Sequence, residues 1–575
     1  MPSDRRAFLA VCSSLGLGGA LSTALWREAR AQAPATPPAQ PQQSPPASPI
    51  TKEMLVAAET VIGLTFTEAE REMMLQDLNG ALTGYAALRR VTLDNGVAPA
   101  IRFDPELPGA TPPAMPRGKP KPVLARRRGL KRAGADLAWA SVADLGELLR
   151  TRQVTSEELT RLALERLRKF DGDLKTVVTY TQERALRQAR EADREISRGR
   201  IRGPLHGIPW GAKDLLAVPG YPTTWGSPLY KEHERPETAT VVERLDAAGA
   251  VLVAKLSLGE LAQGDVWYGG TTKNPWNIEQ GSSGSSAGPG SATAAGAVPF
   301  AIGSETLGSI VSPSTRNGVT GLRPTFGRVS RHGAMALSWT MDKLGPMCRS
   351  AEDCGLVFAA IHGADGRDPT AVDRPFDWTP ARKLDGIRIG YLRAAFEADH
   401  ATKAQDEAAL AVLRGLGVQP VEVALPTDLP IGAMRIILSA EAAAAFDELT
   451  RSGEDDQMVR QNRGAWPNSF RTSRFIPAVE YIQANRIRTL LMRGLDELFR
   501  QVDVFVTPSF GGNVLLATNL TGHPALVLPN GFTAEATPVS LSFIGRLHGE
   551  AALLTVAEAY QAATDFHRKR PPRFA

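Results

Sequence analysis

Near the middle of the chain, the glycine- and serine-rich run Gly281-Ser-Ser-Gly-Ser-Ser-Ala-Gly-Pro-Gly-Ser291 leads directly into the apolar stretch Ala292-Thr-Ala-Ala-Gly-Ala-Val-Pro-Phe-Ala-Ile302. A Gly/Ser run on its own reads as a flexible linker. A linker does not sit inside core-forming sequence, and the next turn, Gly303-Ser-Glu-Thr-Leu-Gly-Ser-Ile310, is again small and hydroxyl-rich. Two tight loops flanking a buried helix–strand unit predict backbone N–H groups that converge on a ligand.

On both sides of this unit, short apolar runs alternate with helical stretches. Val251-Leu-Val-Ala254, Pro299-Phe-Ala-Ile302, Ile387-Arg-Ile389, Val504-Phe-Val506 and Ala525-Leu-Val-Leu528 read as strands. Thr155-Ser-Glu-Glu158 opens a helix, and one long charged helix is expected through about Arg198. This alternation predicts an α/β fold around a central mixed β-sheet, mostly buried, with helices on both sides. The main domain is expected over residues 136–575 of the 575-residue chain, a length that suits one large domain with additions.

The additions lie at the front. Asp4-Arg5-Arg6-Ala-Phe-Leu9, the apolar stretch Val11–Leu25 and the small-x-small site Ala31-Gln-Ala33 predict a cleaved twin-arginine signal over residues 1–33. A periplasmic protein without stable membrane insertion follows from that. Residues 34–50 are rich in Pro, Ala and Gln and read as a disordered spacer. Residues 51–135 read as a helical extension ending in a Pro- and Arg-rich linker. Thr67 and Glu70 form a capping box there, with Leu75, Leu78, Leu82 and Tyr85 at helical spacing.

Composition removes several classes of function. The net charge of +5 is small and scattered, and no zinc-finger spacing or phosphate-cradling loop accompanies it, so no nucleic-acid partner is expected. The eight histidines show no metal-ligand spacing, and Gly288-Pro-Gly290 does not complete a dinucleotide fingerprint. Neither a cofactor nor a metal is expected. Of three cysteines, Cys12 falls in the signal, and Cys348 and Cys354 read as buried thiols or as a bridged pair.

The run from Ser283 to Ser330 resembles the amidase signature: a Gly/Ser loop, an Ala-rich helix and a second Thr/Gly/Ser loop. Gly321-Leu-Arg-Pro-Thr-Phe-Gly-Arg-Val-Ser330 and Asp342-Lys-Leu-Gly-Pro-Met347 fit the same family, as does Pro204-Leu-His-Gly-Ile-Pro-Trp-Gly-Ala-Lys-Asp214 for its lysine motif. Thr223-Thr-Trp-Gly-Ser227, Asn274-Pro-Trp276 and Asn519-Leu-Thr-Gly-His-Pro-Ala-Leu-Val-Leu-Pro529 continue the match, which covers about residues 137–570. The resemblance implies an amidase-signature fold and a Ser-Ser-Lys triad. Its nucleophile would be Ser309, its cis-peptide serine Ser285, 24 residues earlier, and its base Lys213. The oxyanion hole would come from the N–H groups of Thr306, Leu307, Gly308 and Ser309. The sequence departs from the family pattern at Ser283, Ala287, Pro289, Glu305 and Leu307. The chemistry accounts for the residue types: serine needs a base to attack at neutral pH, and lysine is a base only when burial keeps it neutral.

The expected activity is therefore hydrolysis of a small carboxamide through an acyl-enzyme, in an exported protein, with homodimerisation left open. Two alternatives stay open beside it: a glutaminase or amidotransferase component of the A type, and esterase activity at the same site. The helical extension resembles the small helical subunit of the tRNA-dependent amidotransferases and reads equally as a generic helical hairpin. Gly284-Ser-Ser-Ala-Gly288 also satisfies the Gly-x-Ser-x-Gly elbow of α/β-hydrolases, with Ser286 as nucleophile. That motif needs a strand before it and a later histidine, and residues 275–284 do not read as a strand. His206 reads as a packed structural histidine.

Overall fold

The computed structural model describes residues 50–91, 132, 136–380 and 383–575. The export signal expected over 1–33, nearly all of the 34–50 spacer and nearly all of the linker before residue 136 lie outside the described residues. At the front of the described chain, α1 (Lys52–Ile62) and α2 (Glu68–Arg89) form a hairpin. Gly63 ends α1 with φ +69°, and the capping box of α2 is formed, with Thr67 N–H donating to Glu70 Oε2 at 2.6 Å and Glu70 N–H to Thr67 Oγ1 at 3.3 Å. The buried stripe of α2 is Met74, Leu78, Tyr85 and Leu88. Leu75 and Leu82 of the expected stripe are only half-buried.

The main domain is built on one eleven-stranded sheet. Its strands are β1 (Val177–Tyr180), β2 (Pro209–Lys213), β3 (Val251–Leu256), β4 (Phe300–Glu305), β5 (Thr320–Arg323), β6 (Lys343–Cys348), β7 (Ile389–Leu392), β8 (Val421–Val423), β9 (Val504–Pro508), β10 (Ala525–Phe532) and β11 (Pro538–Gly545). They lie in the order β1-β3-β2-β4-β6-β5-β10-β11-β9-β7-β8. β3, β2 and β4 run parallel, as do β9, β7 and β8, and the strands between are antiparallel, so the sheet is mixed.

The strand sequences show why both faces are covered. β3 reads Val-Leu-Val-Ala-Lys-Leu with every residue buried, the signature of a strand without a wet face. Its side chains alternate between two clusters. Val251 and Val253 pack with Ala163, Leu167, Ala185 and Ala292, from α3 (Ser156–Leu174), α4 (Gln182–Ser197) and α5 (Ala287–Ala294). Leu252 packs on the opposite face with Trp210, Phe300 and Phe358.

Two expectations are corrected. The single charged helix through Arg198 is two helices, because α3 stops at Lys175 (φ 52°) and Val177-Val-Thr-Tyr180 pairs antiparallel with β3. Consecutive β-branched and aromatic residues favour a strand over a continued helix. The strand read at Ile387–Ile389 starts at Ile389 and runs to Leu392.

Candidate active site

The parallel neighbours β2 and β4 end side by side, which brings Lys213 next to Ser304 and Glu305. The Gly/Ser run meets the end of β2 through Ser285 and Ser286 before entering α5 at Ala287. Lys213 is fully buried, and its Nζ lies within hydrogen-bond distance of three hydroxyls: Ser285 Oγ at 2.7 Å, Ser304 Oγ at 2.9 Å and Ser286 Oγ at 3.1 Å. Burial pushes the Lys213 ammonium well below the usual lysine range, against the pull of Asp342 and Glu305. The Gly284–Ser285 peptide is cis. Glycine is required at 284 because a Cβ there would sit 1.8 Å from the Gly264 carbonyl oxygen. Ser283 takes the left-handed conformation (φ 58°), held by its N–H to Asp265 Oδ2 at 2.9 Å and its hydroxyl to Ser312 Oγ at 2.7 Å.

After β4 the chain turns through Thr306, Leu307, Gly308 and Ser309 into α6 (Val311–Asn317), with Gly308 at φ +88°. A buried carboxylate pins this turn: Glu305 Oε2 accepts from the N–H groups of Ile310 at 2.8 Å and Val311 at 2.9 Å. Its Oε1 accepts from Arg323 Nη1 and Asn519 Nδ2, both at 2.8 Å. Burial raises the Glu305 carboxyl, but Arg323 and Lys343 outweigh it and bring it down to about 2. Ser286 N–H donates to the Ser309 carbonyl at 3.2 Å, which ties the two loops together. Among the described residues, the N–H groups of Leu307, Gly308 and Ser309 donate to no protein acceptor, and the Ser309 hydroxyl has no hydrogen-bond partner. The structure thus joins Lys213 to Ser285 and brings Ser309 alongside without closing the Ser285–Ser309 link.

Two other buried lysines stand nearby with different partners. Lys255 pairs with Asp214 at 2.7 Å, and Lys343 Nζ donates to the Met341 carbonyl. Neither touches Ser285 or Ser309. His206 is buried with its Nδ1 accepting from Arg202 N–H at 3.2 Å, and it packs on Gly249. The elbow reading is corrected in part. Asn277–Gly281 is a strand after all, but it pairs with Lys273–Asn274 in a two-stranded hairpin outside the main sheet. Ser286 Oγ donates to the Ser304 carbonyl at 3.1 Å, and among the described residues no histidine is hydrogen-bonded to it. Cys348 and Cys354 are free, buried thiols.

A family model described as Amidase matches residues 158–517. The chain belongs to the amidase signature family. It is a hydrolase of the class that acts on carbon–nitrogen bonds. Among its relatives, the A-type component of the glutamyl-tRNA(Gln) amidotransferase of Moorella thermoacetica is 35% identical over 483 residues, 76% of this chain and 99% of that protein. The corresponding protein of Chloroflexus aggregans is 36% identical over 482 residues, again 76% of this chain and 99% of its own. Among solved structures, the peptide amidase of Stenotrophomonas maltophilia superposes with a TM-score of 0.68 at 32% identity, over 76% of this chain and 99% of that one.

Several site residues of this amidase-signature chain do not stand out in its sequence. Ser304 and Ser286 fill two of the three positions around Lys213 Nζ, and both sit in runs with so many serines that sequence alone does not rank them. Asp342 reads only as part of a motif, yet its Oδ1 accepts from Thr306 Oγ1 at 2.6 Å and its Oδ2 from Leu337 N–H at 2.8 Å and Ser338 N–H at 2.9 Å. Burial raises this carboxyl above the usual range. A signal for it exists, since an acidic residue beside Lys343 in an apolar strand start needs buried partners.

Proposed function

We propose that the chain cleaves a carboxamide with Ser309 as nucleophile and Ser285 and Lys213 as its proton relay. The observation that carries this reading is the hydrogen-bond count at Lys213. Ser286 gives its proton to the Ser304 carbonyl, so it only accepts from Lys213. With Lys213 neutral, the form its burial favours, Nζ has two N–H donors and one lone pair. One N–H and the lone pair then remain for Ser304 and Ser285, and a Ser285 that donates to the lone pair is free to accept the proton of Ser309. Ser309 Oγ attacks the carbonyl carbon as its proton passes to Ser285 and that of Ser285 to Lys213. The N–H groups of the 306–309 turn receive the developing oxyanion. As the C–N bond breaks, Ser285 returns a proton to the leaving nitrogen, and water enters by the same relay to free the acid. An ester would be cleaved at the same site. In the test, Ser309→Ala abolishes both turnover and labelling by a fluorophosphonate; retained labelling excludes Ser309.

A second reading has its own support. The relatives named above are A-type components of amidotransferases, matched over nearly their whole length, which favours work as an ammonia-releasing subunit over free-standing hydrolysis. Ammonia release from glutamine by the purified chain, measured against simple amides, separates the two. We also propose export by the twin-arginine route, supported by Arg5-Arg6 and Ala31-Gln-Ala33. Replacing both arginines by lysine strands the protein in the cytoplasm, and unchanged periplasmic recovery rejects the route. No helix of the described residues is long and apolar enough to cross a membrane.

A further inference from the structure

Beside the serine and lysine cluster lies a cavity of about 270 Å³. It reaches Ser304 and Thr306, where β4 passes into the turn that carries Ser309, and Ser304 is itself bonded to Lys213. The surface it presents is predominantly apolar: Leu215, Met335, Leu337 and Leu344 are all buried there, and Trp339 on the lining is 47% exposed. The charged groups on the lining are already engaged. Arg331 Nε pairs with Asp368 at 3.1 Å, and its Nη1 and Nη2 donate to the Trp339 carbonyl at 2.9 Å and Thr370 Oγ1 at 2.8 Å. Arg367 pairs with Glu243, Lys343 donates to the Met341 carbonyl, and both oxygens of Asp342 are taken by Thr306 and the 337–338 backbone. That leaves His332 as the remaining ionisable side chain on the lining among the described residues.

This chemistry discriminates between substrates. An amino-acid amide such as glutamine brings an ammonium and a carboxylate, and each needs a partner when withdrawn from water. One imidazole does not answer both. An apolar group needs none and gains by leaving water. The volume suits it too, since a cavity of about 150 Å³ lined by aliphatic side chains already binds benzene.

We propose that this cavity receives a neutral apolar substituent of the scissile amide, an aryl ring or a branched alkyl group, and so directs the enzyme to apolar carboxamides. The proposal rests on Ser309 being the nucleophile. The lining of the cavity and the kinship with A-type amidotransferase components point different ways, and a substrate comparison decides.

The test measures kcat/KM of the mature protein for phenylacetamide, acetamide and L-glutamine, and repeats it with Trp339→Ala and Met335→Gln. Trp339 is exposed enough that its removal leaves the fold intact, so at least one variant is readable even if Met335→Gln misfolds. The wild type is expected to prefer phenylacetamide to acetamide by about tenfold or more, the scale of discrimination in an apolar pocket, and to prefer it to glutamine. Each folded variant is expected to lower the phenylacetamide-to-acetamide ratio severalfold. Glutamine as the better substrate, absence of phenylacetamide turnover, or a ratio that neither variant moves overturns the proposal. Undiminished turnover by Ser309→Ala instead overturns the nucleophile and the proposal with it, a failure read from a different variant than the selectivity ratio.

Discussion

At the scale of single residues, two buried ionisable groups both lose their effect in acid, one on activity and the other on stability. Lys213 is held well below its usual range by burial, which favours the neutral form that the proposed relay needs as its base. The acid limb of kcat/KM therefore rises with pH as Lys213 loses its proton. Lys213→Ala is expected to lower kcat/KM by about 10,000-fold, and adding Ser285→Ala to change little more, because members of one relay are not additive. Lys213→Arg does not rescue, since guanidinium stays charged. Near-normal turnover by folded Lys213→Ala rejects the relay. Glu305 acts on stability instead. Its folded carboxyl lies near 2 rather than 4.5, so the stabilisation it provides is present above pH 4.5 and is lost as the pH falls towards 2. Glu305→Gln should cost about 3 kcal/mol at neutral pH, the worth of that shift, and flatten the acid limb of stability seen in urea titrations.

At the scale of elements, the N-terminal hairpin is a docked part of the described chain. Leu55, Phe66, Met74 and Leu78 form a small core of their own, with Phe475 of the main domain packed against it. Polar contacts add to this: Glu70 pairs with Arg471 at 2.7 Å, and Asp77 with Arg463 at 2.7 Å and Asn468 at 2.8 Å. Arg471 lies in α7 (Trp466–Ser473), and its side chain is 3% exposed. Removing residues 51–135 uncovers that charge and apolar face, so solubility and melting temperature should fall while fluorophosphonate labelling persists. Met74→Ala, at a fully buried position, should cost the docking about 2–4 kcal/mol. Hydrogen exchange resolves it: protection should fall over residues 52–89 and hold in β2 and β4. A uniform loss of protection would mean that the hairpin folds as one unit with the sheet.

At the scale of the whole molecule, the sheet shields its own interior. Cys348 ends β6 and Cys354 lies in the helix Ala351–Ile361, both with no exposed surface. Burial pushes the Cys348 thiol well above its usual range, so little thiolate is available to react. The two thiols should label with a disulfide reagent at least about a thousandfold more slowly in the native protein than in guanidinium, because reaction waits for global opening. Fast native labelling would place the end of β6, for Cys348, or the helix Ala351–Ile361, for Cys354, among locally opening segments.

The sequence by itself determined the fold class and the candidate triad. Continuous apolar runs such as Val251–Leu256 have no polar face to offer, so a strand covered on both sides was legible. The resemblance of the lysine and serine motifs to the amidase signature is what named Lys213, Ser285 and Ser309 as candidates. Local signals also sufficed for the capping box at Thr67 and Glu70, since its partners are three residues apart. Tertiary structure alone decided which hydroxyls surround Lys213 and which carboxylate grips the turn. Ser304 reaches Lys213 across 91 residues, and Asn519 reaches Glu305 across 214. It also divided the helix expected through Arg198, because Val177–Tyr180 becomes a strand by pairing with β3, a partner some 75 residues away. Contacts of that range depend on strand order, which no local periodicity encodes, and they set the burial that favours a neutral lysine at 213.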